Sequence, residues 1–385
     1  MSRLALNRRG FLGMSLAAAG SSLGLASVGH AAEVLEGPTF FPPTASAPIR
    51  INFNENALGM SPKAQLAAMD AVHKGNRYAK AEINVLHNKI ANMYGVGKDM
   101  ILLTDGSSEG IRSFMGAYAR MPKVQLVIPE LTYGDAEHFA KIYGIPIVRC
   151  PMLPDWKVDV PALKKAADEF DGISIIYFVN PNNPTSTVTP ASEIEPWIKS
   201  KPKNAVFIAD EAYAEYVSDP EFRSLAHLIE EGFDNVVLLK TFSKIFAMAG
   251  MRVGYAVGSA PIIKLMKNEV AGEKLSYPGT CAALVSLDDL PFIEYSRAMN
   301  LKSRDIFSKG LDALGVKYLP SSTNFMFFEI NEPIASFQKK MAERNILVGR
   351  PFPPALNWCR ISLGTPFEMA YVAEVLKGMR DQGQF

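Results

Sequence analysis

Lys244 sits within Lys240–Tyr255, KTFSKIFAMAGMRVGY, a stretch that gathers unlike polar groups. Thr241, Ser243 and Lys244 fall within four residues, and Arg252 follows eight residues past the lysine. The run before them, Val236–Leu239, is short, apolar and branched, and reads as a buried strand. A lysine leaving a buried strand is desolvated, which lowers its pKa. Its amine then attacks a carbonyl near neutral pH, so the segment suits imine chemistry. The two hydroxyls, with the planar fork of Arg252, suit a phosphate. Taken alone, the same lysine also reads as an ordinary solvated residue after a strand.

Three further strand ends carry polar groups. Asp105-Gly106-Ser107-Ser108-Glu109 lies at a strand-to-helix turn. Its glycine permits close approach, and free N–H groups at a helix start bind anions; an ordinary N-cap is the plain alternative. Val179-Asn180-Pro181-Asn182-Asn183-Pro184-Thr185 reads as a rigid turn that presents an asparagine amide to a ligand oxygen. Ala209-Asp210-Glu211-Ala212-Tyr213 puts a carboxylate at the end of an apolar strand, which is costly unless the charge is paired. A protonated ring nitrogen is one such partner, a helix N-cap another; Tyr213 reaches the same ligand.

The elements that must position these groups alternate. Pro62–Gly75 and Glu82–Tyr94 read as helices, Ile101–Thr104 as a strand and Gly110–Arg120 as a helix. Gln125–Ile128, Ile145–Val148, Ser174–Val179, Ala205–Ala209, Val236–Leu239 and Gly254–Val257 are short branched or aromatic runs with helical segments between several of them. The pattern predicts an α/β fold, a mainly parallel sheet covered by helices in three layers, with functional groups at the carboxyl ends of the strands. After about Pro291 it changes to a long helix, Phe292–Leu314, then a strand, a helix, a strand and a helix. The expected organisation is an arm over residues 32–60, a large domain over 61–290 and a smaller α+β domain over 291–385, which the arm completes.

The chain has 385 residues, 48% of them hydrophobic, enough for a large core. A formal net charge of +1 argues against a nucleic-acid binder driven by bulk charge. Residues 1–31 stand apart. Asn7-Arg8-Arg9-Gly10-Phe11-Leu12 is a twin-arginine pattern, Phe11–Val28 is weakly apolar, and Gly29-His30-Ala31 supplies small residues for cleavage. The segment is glycine-rich and short for a stable membrane span. A Tat export signal is therefore expected, with the Tat machinery as partner and a periplasmic destination. Cys150, Cys281 and Cys359 are too sparse and odd in number for a disulfide framework.

Asn-Pro-Asn-Asn-Pro-Thr, Asp-Glu-Ala-Tyr, and Thr-Phe-Ser-Lys with Arg eight residues on, in this order, resemble the fold-type I pyridoxal-phosphate aminotransferases of class I/II. The nearest subgroup is similar to histidinol-phosphate aminotransferase, and the resemblance spans nearly all of the mature chain. It implies that Lys244 forms the internal imine with pyridoxal 5'-phosphate and then moves the substrate α-proton. It implies that Asp210 pairs with the ring nitrogen, that Asn183 and Tyr213 bond the ring hydroxyl oxygen, and that Tyr133 stacks on the ring. The phosphate falls to Gly106, Ser107, Ser108, Thr241, Ser243 and Arg252, with Tyr78 reaching it from a partner subunit of a homodimer. Arg360, in Cys359-Arg360-Ile361-Ser362-Leu363-Gly364, matches the arginine that grips the substrate α-carboxylate. No metal is implied.

The resemblance does not extend to the substrate. Asn54-Glu55-Asn56-Ala57-Leu58 lacks the tyrosine usual there in histidinol-phosphate enzymes, and Leu347-Val348-Gly349-Arg350 shifts an arginine by one residue. The expected substrates are an amino acid without a phosphate, its side chain aromatic or long, and a 2-oxo acid. Asn56, Tyr277 and Arg350 are the candidate specificity positions. A lyase, racemase or oxidase on the same scaffold, and a non-catalytic binding protein, are the alternatives.

Overall fold

Residues 41–385 are described by the computed structural model. Along them run β1 (Ile49–Arg50), α1 (Pro62–Val72), α2 (Lys80–Met93), β2 (Ile101–Thr104), α3 (Ser107–Tyr118), β3 (Val124–Pro129), α4 (Asp135–Tyr143) and β4 (Ile147–Cys150). Next come α5 (Val160–Asp168), β5 (Ile173–Val179), α6 (Ala191–Lys199), β6 (Ala205–Asp210), α7 (Ala226–Glu230), β7 (Val236–Thr241) and β8 (Gly254–Gly258). The remainder is α8 (Ala260–Lys267), α9 (Tyr277–Ser286), α10 (Leu290–Ala313), β9 (Phe325–Glu329), α11 (Ile334–Ala342), β10 (Ile346–Leu347), β11 (Trp358–Ser362) and α12 (Pro366–Asp381).

Seven strands form one sheet in the order β2-β8-β7-β6-β5-β3-β4. Only β8 runs against its neighbours; the other pairings in this sheet are parallel. Because side chains alternate along a strand, each central strand feeds two cores. Ile176 and Phe178 of β5, with Phe207 and Leu238, pack towards α1, α2, α5, α6 and α9. Ile175, Tyr177 and Val179, with Ile208 and Leu239, pack towards α3, α4 and α8. The result is the expected three-layer α/β/α arrangement.

The C-terminal part has a core of its own. β9 and β11 pair antiparallel, β1 pairs β10 in parallel, and Ile49, Ile51, Phe307, Phe328, Ile361 and Val372 share one cluster. Ser362 N–H donates to the Ile51 carbonyl at 2.8 Å, so the arm is stitched to β11. All the described residues nonetheless belong to one compact unit.

Several element bounds differ from the sequence reading, three of them for a plain local reason. α3 starts at Ser107, inside what reads as a turn, because Gly106 at φ +76° swings the chain directly into the helix. β7 runs on through Lys240 and Thr241, since the Lys240 ammonium is paired with Glu215 at 2.6 Å and tolerates burial. α9 escapes periodicity analysis because it is small and apolar nearly all round, being packed against α1 and α2. The twin-arginine segment, the expected cleavage site and the start of the expected arm lie outside the described residues. Among the described residues no helix is long and apolar enough to cross a membrane.

Candidate active site

Parallel strands β5, β6 and β7 end side by side, so Asn180, Asp210 and Thr241 open onto one edge of the sheet. There they meet the arm and β11 around a cleft of about 390 Å³. Ser107, Ser108, Tyr133, Asn183, Asp210, Tyr213, Thr241, Ser243, Lys244, Arg252, Arg350 and Arg360 all line it.

At its floor, Asp210 is buried. Tyr177 OH donates to Asp210 Oδ2 at 2.8 Å, and Ala212 N–H donates to Oδ1 at 3.2 Å. Burial pushes the carboxyl up to about 6, against the pull of the Tyr177 bond. Half-buried Lys244 donates from Nζ to the Asn54 carbonyl at 3.1 Å and lies 5.6 Å from the Tyr213 ring centroid. Desolvation, then the Arg360 cation, lower the amine to about 8. A lysine near 8 is partly neutral at physiological pH and is a usable nucleophile and base.

Tyr213 turns its ring edge-on to Phe325, 5.1 Å away between centroids. Its hydroxyl accepts from Asn54 Nδ2 at 3.1 Å and from Asn183 Nδ2 at 3.4 Å. Arg360 is buried on β11. Its Nη1 donates to Asn183 Oδ1 and its Nη2 to the Asn52 carbonyl, both at 2.8 Å, while Nε has no partner. Burial lowers this guanidinium to about 10.

Opposite lies an anion pocket. The first turn of α3 points its N–H groups out of the helix start. Arg252 (φ +56°) donates from Nη2 to the Asp105 carbonyl at 2.8 Å and from Nη1 to the Ala249 carbonyl at 3.0 Å. A side chain on Gly106 would collide with it, the new Cβ lying 2.5 Å from Arg252 Nη2. Thr241 Oγ1 donates to Ser243 Oγ at 2.8 Å. The Ser108 hydroxyl is turned to Asp135, which also accepts from Tyr133 OH at 2.9 Å. Thr132 and Asn182 tie the Tyr133 loop to the Asn-Pro turn at 2.9 Å.

Three sequence candidates fall elsewhere. The Asn56 amide clamps the carbonyls of Ile245 and Lys244, at 3.1 and 3.4 Å, and reaches Ser296 Oγ, so it braces the lysine loop and does not face the cleft. Tyr277, the first residue of α9, donates to Glu82 outside the cleft. Tyr78 stands 72% exposed between α1 and α2, away from the cleft of its own chain. Conversely, Asn52, Phe53, Asn54 and Gln338 line the cleft without having been singled out for chemistry. Within Asn54-Glu55-Asn56 the pattern marks the segment but not which asparagine turns inward.

An amine, a carboxylate deeper in, and an anion pocket at a helix start suit a phosphorylated aromatic aldehyde such as pyridoxal phosphate. Comparison with known proteins agrees. Residues 48–376 match the family Aminotransferase class I and II, and the chain belongs to that family. It is a pyridoxal-phosphate-dependent aminotransferase. A histidinol-phosphate aminotransferase of Symbiobacterium thermophilum is 31% identical over 340 residues, 87% of this chain and 91% of that protein. A solved chain from Erwinia carotovora atroseptica SCRI1043, provisionally named as a histidinol-phosphate aminotransferase, is 56% identical with TM-score 0.89, covering 90% of this chain and all of that one. The Sinorhizobium meliloti histidinol-phosphate aminotransferase, solved with pyridoxal-5'-phosphate, shares the fold at 23% identity, TM-score 0.78, over 89% and 95% of the two chains.

Proposed function

We propose that this aminotransferase exchanges the amino group of a free α-amino acid with a long or aromatic side chain for the oxo group of a 2-oxo acid. The observation that carries the reading is the shared cleft, in which the Lys244 amine, the Asp210 carboxylate and the Arg360 guanidinium face one space. Pyridoxal phosphate, when bound, supplies an electron sink for charge developing at the substrate α-carbon. Asp210 offers the negative charge that keeps a ring nitrogen protonated. Asn183 and Tyr213 hold the ring oxygen, and Tyr133 covers the ring. Gly106, Ser107, Ser108, Thr241, Ser243 and Arg252 hold the phosphate, the α3 N–H groups contributing where the Ser108 hydroxyl is engaged by Asp135. Lys244 attaches the cofactor and carries the α-proton on Nζ. Arg360 fixes the α-carboxylate through its guanidinium.

The cleft lining supports this substrate class. Phe53, 62% exposed, lines the cleft, as do Gln338 and Arg350. A cleft lined by an exposed aromatic ring, an amide and a cation suits a long or aromatic side chain better than a compact one. Two further parts complete the reading. The active unit is a homodimer in which Tyr78 reaches the partner's phosphate pocket. The twin arginines Arg8 and Arg9 send the folded enzyme through the Tat route to the periplasm.

The test is a spectrum of the purified enzyme against a panel of amino acids and histidinol phosphate. Aromatic or long-chain amino acids are expected to convert the visible band to the pyridoxamine form, with keto acid formed stoichiometrically. Activity on histidinol phosphate far above that on any free amino acid would overturn the substrate class. Release of free ammonia or consumption of oxygen would replace transamination by another reaction. Arg8→Lys with Arg9→Lys is expected to retain the precursor in the cytoplasm; unchanged export would remove the Tat proposal.

A further inference from the structure

Asn54 is buried, 1% exposed, and adopts the left-handed conformation at φ +54° that asparagine tolerates better than most residues. Its groups are nearly all committed. The backbone N–H donates to Ser362 Oγ at 2.7 Å, and the carbonyl accepts from Lys244 Nζ and from Asn324 Nδ2, each at 3.1 Å. Ser362 Oγ returns a bond to Asn54 Oδ1 at 3.5 Å, so the amide nitrogen is the end that faces Tyr213 OH. On the other side, Arg360 is a donor only, and its Nη1 bonds Asn183 Oδ1. The Asn183 amide nitrogen is therefore also turned to Tyr213 OH. A phenol oxygen has two lone pairs and one proton. With both lone pairs facing fixed donors, only the proton is left to give.

We propose that Asn54 is a positioning residue which, together with Asn183, makes Tyr213 an obligate hydrogen-bond donor into the cleft. The arm thereby sets the polarity of a hydrogen bond 159 residues away in sequence. An anionic oxygen on a bound cofactor ring would accept that hydrogen bond. Tyr213 itself is unable to turn around and accept.

The inference rests on the assignment of Tyr213 to the ring oxygen, and the experiment separates the two. Cofactor dissociation constants are measured by equilibrium dialysis for the parent, Asn54→Gly, Tyr213→Phe and the double variant. Glycine retains the left-handed backbone and the carbonyl but not the amide. Asn54→Gly is expected to weaken binding about fivefold in the parent background and less than about twofold when Tyr213 is already Phe. Equal losses in both backgrounds would mean that Asn54 merely supports the fold, and would overturn the proposal. Tyr213→Phe binding like the parent would overturn both the assignment and the inference built on it. Asn54→Asp, nearly isosteric, gives a second readout and serves if the glycine variant does not fold. Its carboxylate would accept the phenolic hydrogen bond, so the pH midpoint of the visible band is expected to rise, as is also expected for Tyr213→Phe. A midpoint equal to the parent's would contradict the donor argument.

Discussion

At the scale of single residues, buried Asp210 and half-buried Lys244 are shifted ionisable groups of the cleft. The Lys244 amine, lowered to about 8 by burial and by Arg360, is charged below that pH and neutral above it. Only the neutral amine attacks an aldehyde. Reconstitution of the cofactor-free enzyme with pyridoxal phosphate is therefore expected to speed up as pH rises through about 8, measured from growth of the visible band; a flat profile from pH 6 to 9 would contradict this. Lys244→Ala should form no such band at any pH. Asp210 is held down by Tyr177 OH against a larger upward push from burial. Tyr177→Phe removes that donor, lets the carboxyl rise, and weakens its hold on a protonated ring nitrogen. A neutral-to-ionic hydrogen bond is worth roughly 1.5–3 kcal/mol, so cofactor affinity should fall about tenfold or more. Dialysis against free cofactor reads it, and Asp210→Asn should abolish the difference between Tyr and Phe at position 177.

Strand ends and helix starts determine whether those residues meet. Gly106 has to supply both a positive φ and an open space beside Arg252. Gly106→Ala displaces the arginine and strains the turn, at a cost on the order of 1–3 kcal/mol. Lower cofactor affinity with a smaller drop in the melting temperature of the cofactor-free protein is the expected pattern, checked by parallel dialysis and thermal melts. β7 depends on a different device. Lys240, buried in the strand, pairs with Glu215 and donates to the Glu211 carbonyl at 3.2 Å, just behind Asp210. Lys240→Met leaves Glu215 without its partner. Breaking such a pair costs roughly 3 kcal/mol, and partial exposure of Glu215 makes that an upper figure. A denaturant melt checks it.

Assembly belongs to the whole molecule. Leu66, Met69 and Val72 of α1, Tyr78, and Val85 and Met93 of α2 are all more than half exposed. Exposed apolar side chains on segments adjoining in sequence fit the proposed homodimer interface. With Tyr78 among these residues, the proposed homodimer covers the patch and completes the phosphate pocket together. Met69→Lys with Val72→Lys should give a monomer by light scattering and should weaken cofactor binding in the same step. A monomer that binds the cofactor as tightly as the parent would separate the two effects and remove Tyr78 from the site.

Much of this was legible one segment at a time. Apolar runs ending in Asp210 or Thr241-Phe242-Ser243-Lys244, and a glycine before Ser107-Ser108, are local patterns, because strand burial and helix-start chemistry are local effects. They sufficed for the α/β fold and, through the family resemblance they carry, for the cofactor class. What they left open is where a side chain points once distant segments meet. Asn56 and Tyr277 carry suitable groups, yet packing turns them to the lysine loop and to Glu82. Tyr177 reads as core, and only the adjacency of β5 and β6 puts its hydroxyl on Asp210. Asn54 meets Lys244 across 190 residues, and Arg360 meets Asn183 across 177. Hydrogen-bond direction in such a cluster is settled by which groups can only donate, and that depends on the full set of neighbours the tertiary fold assembles.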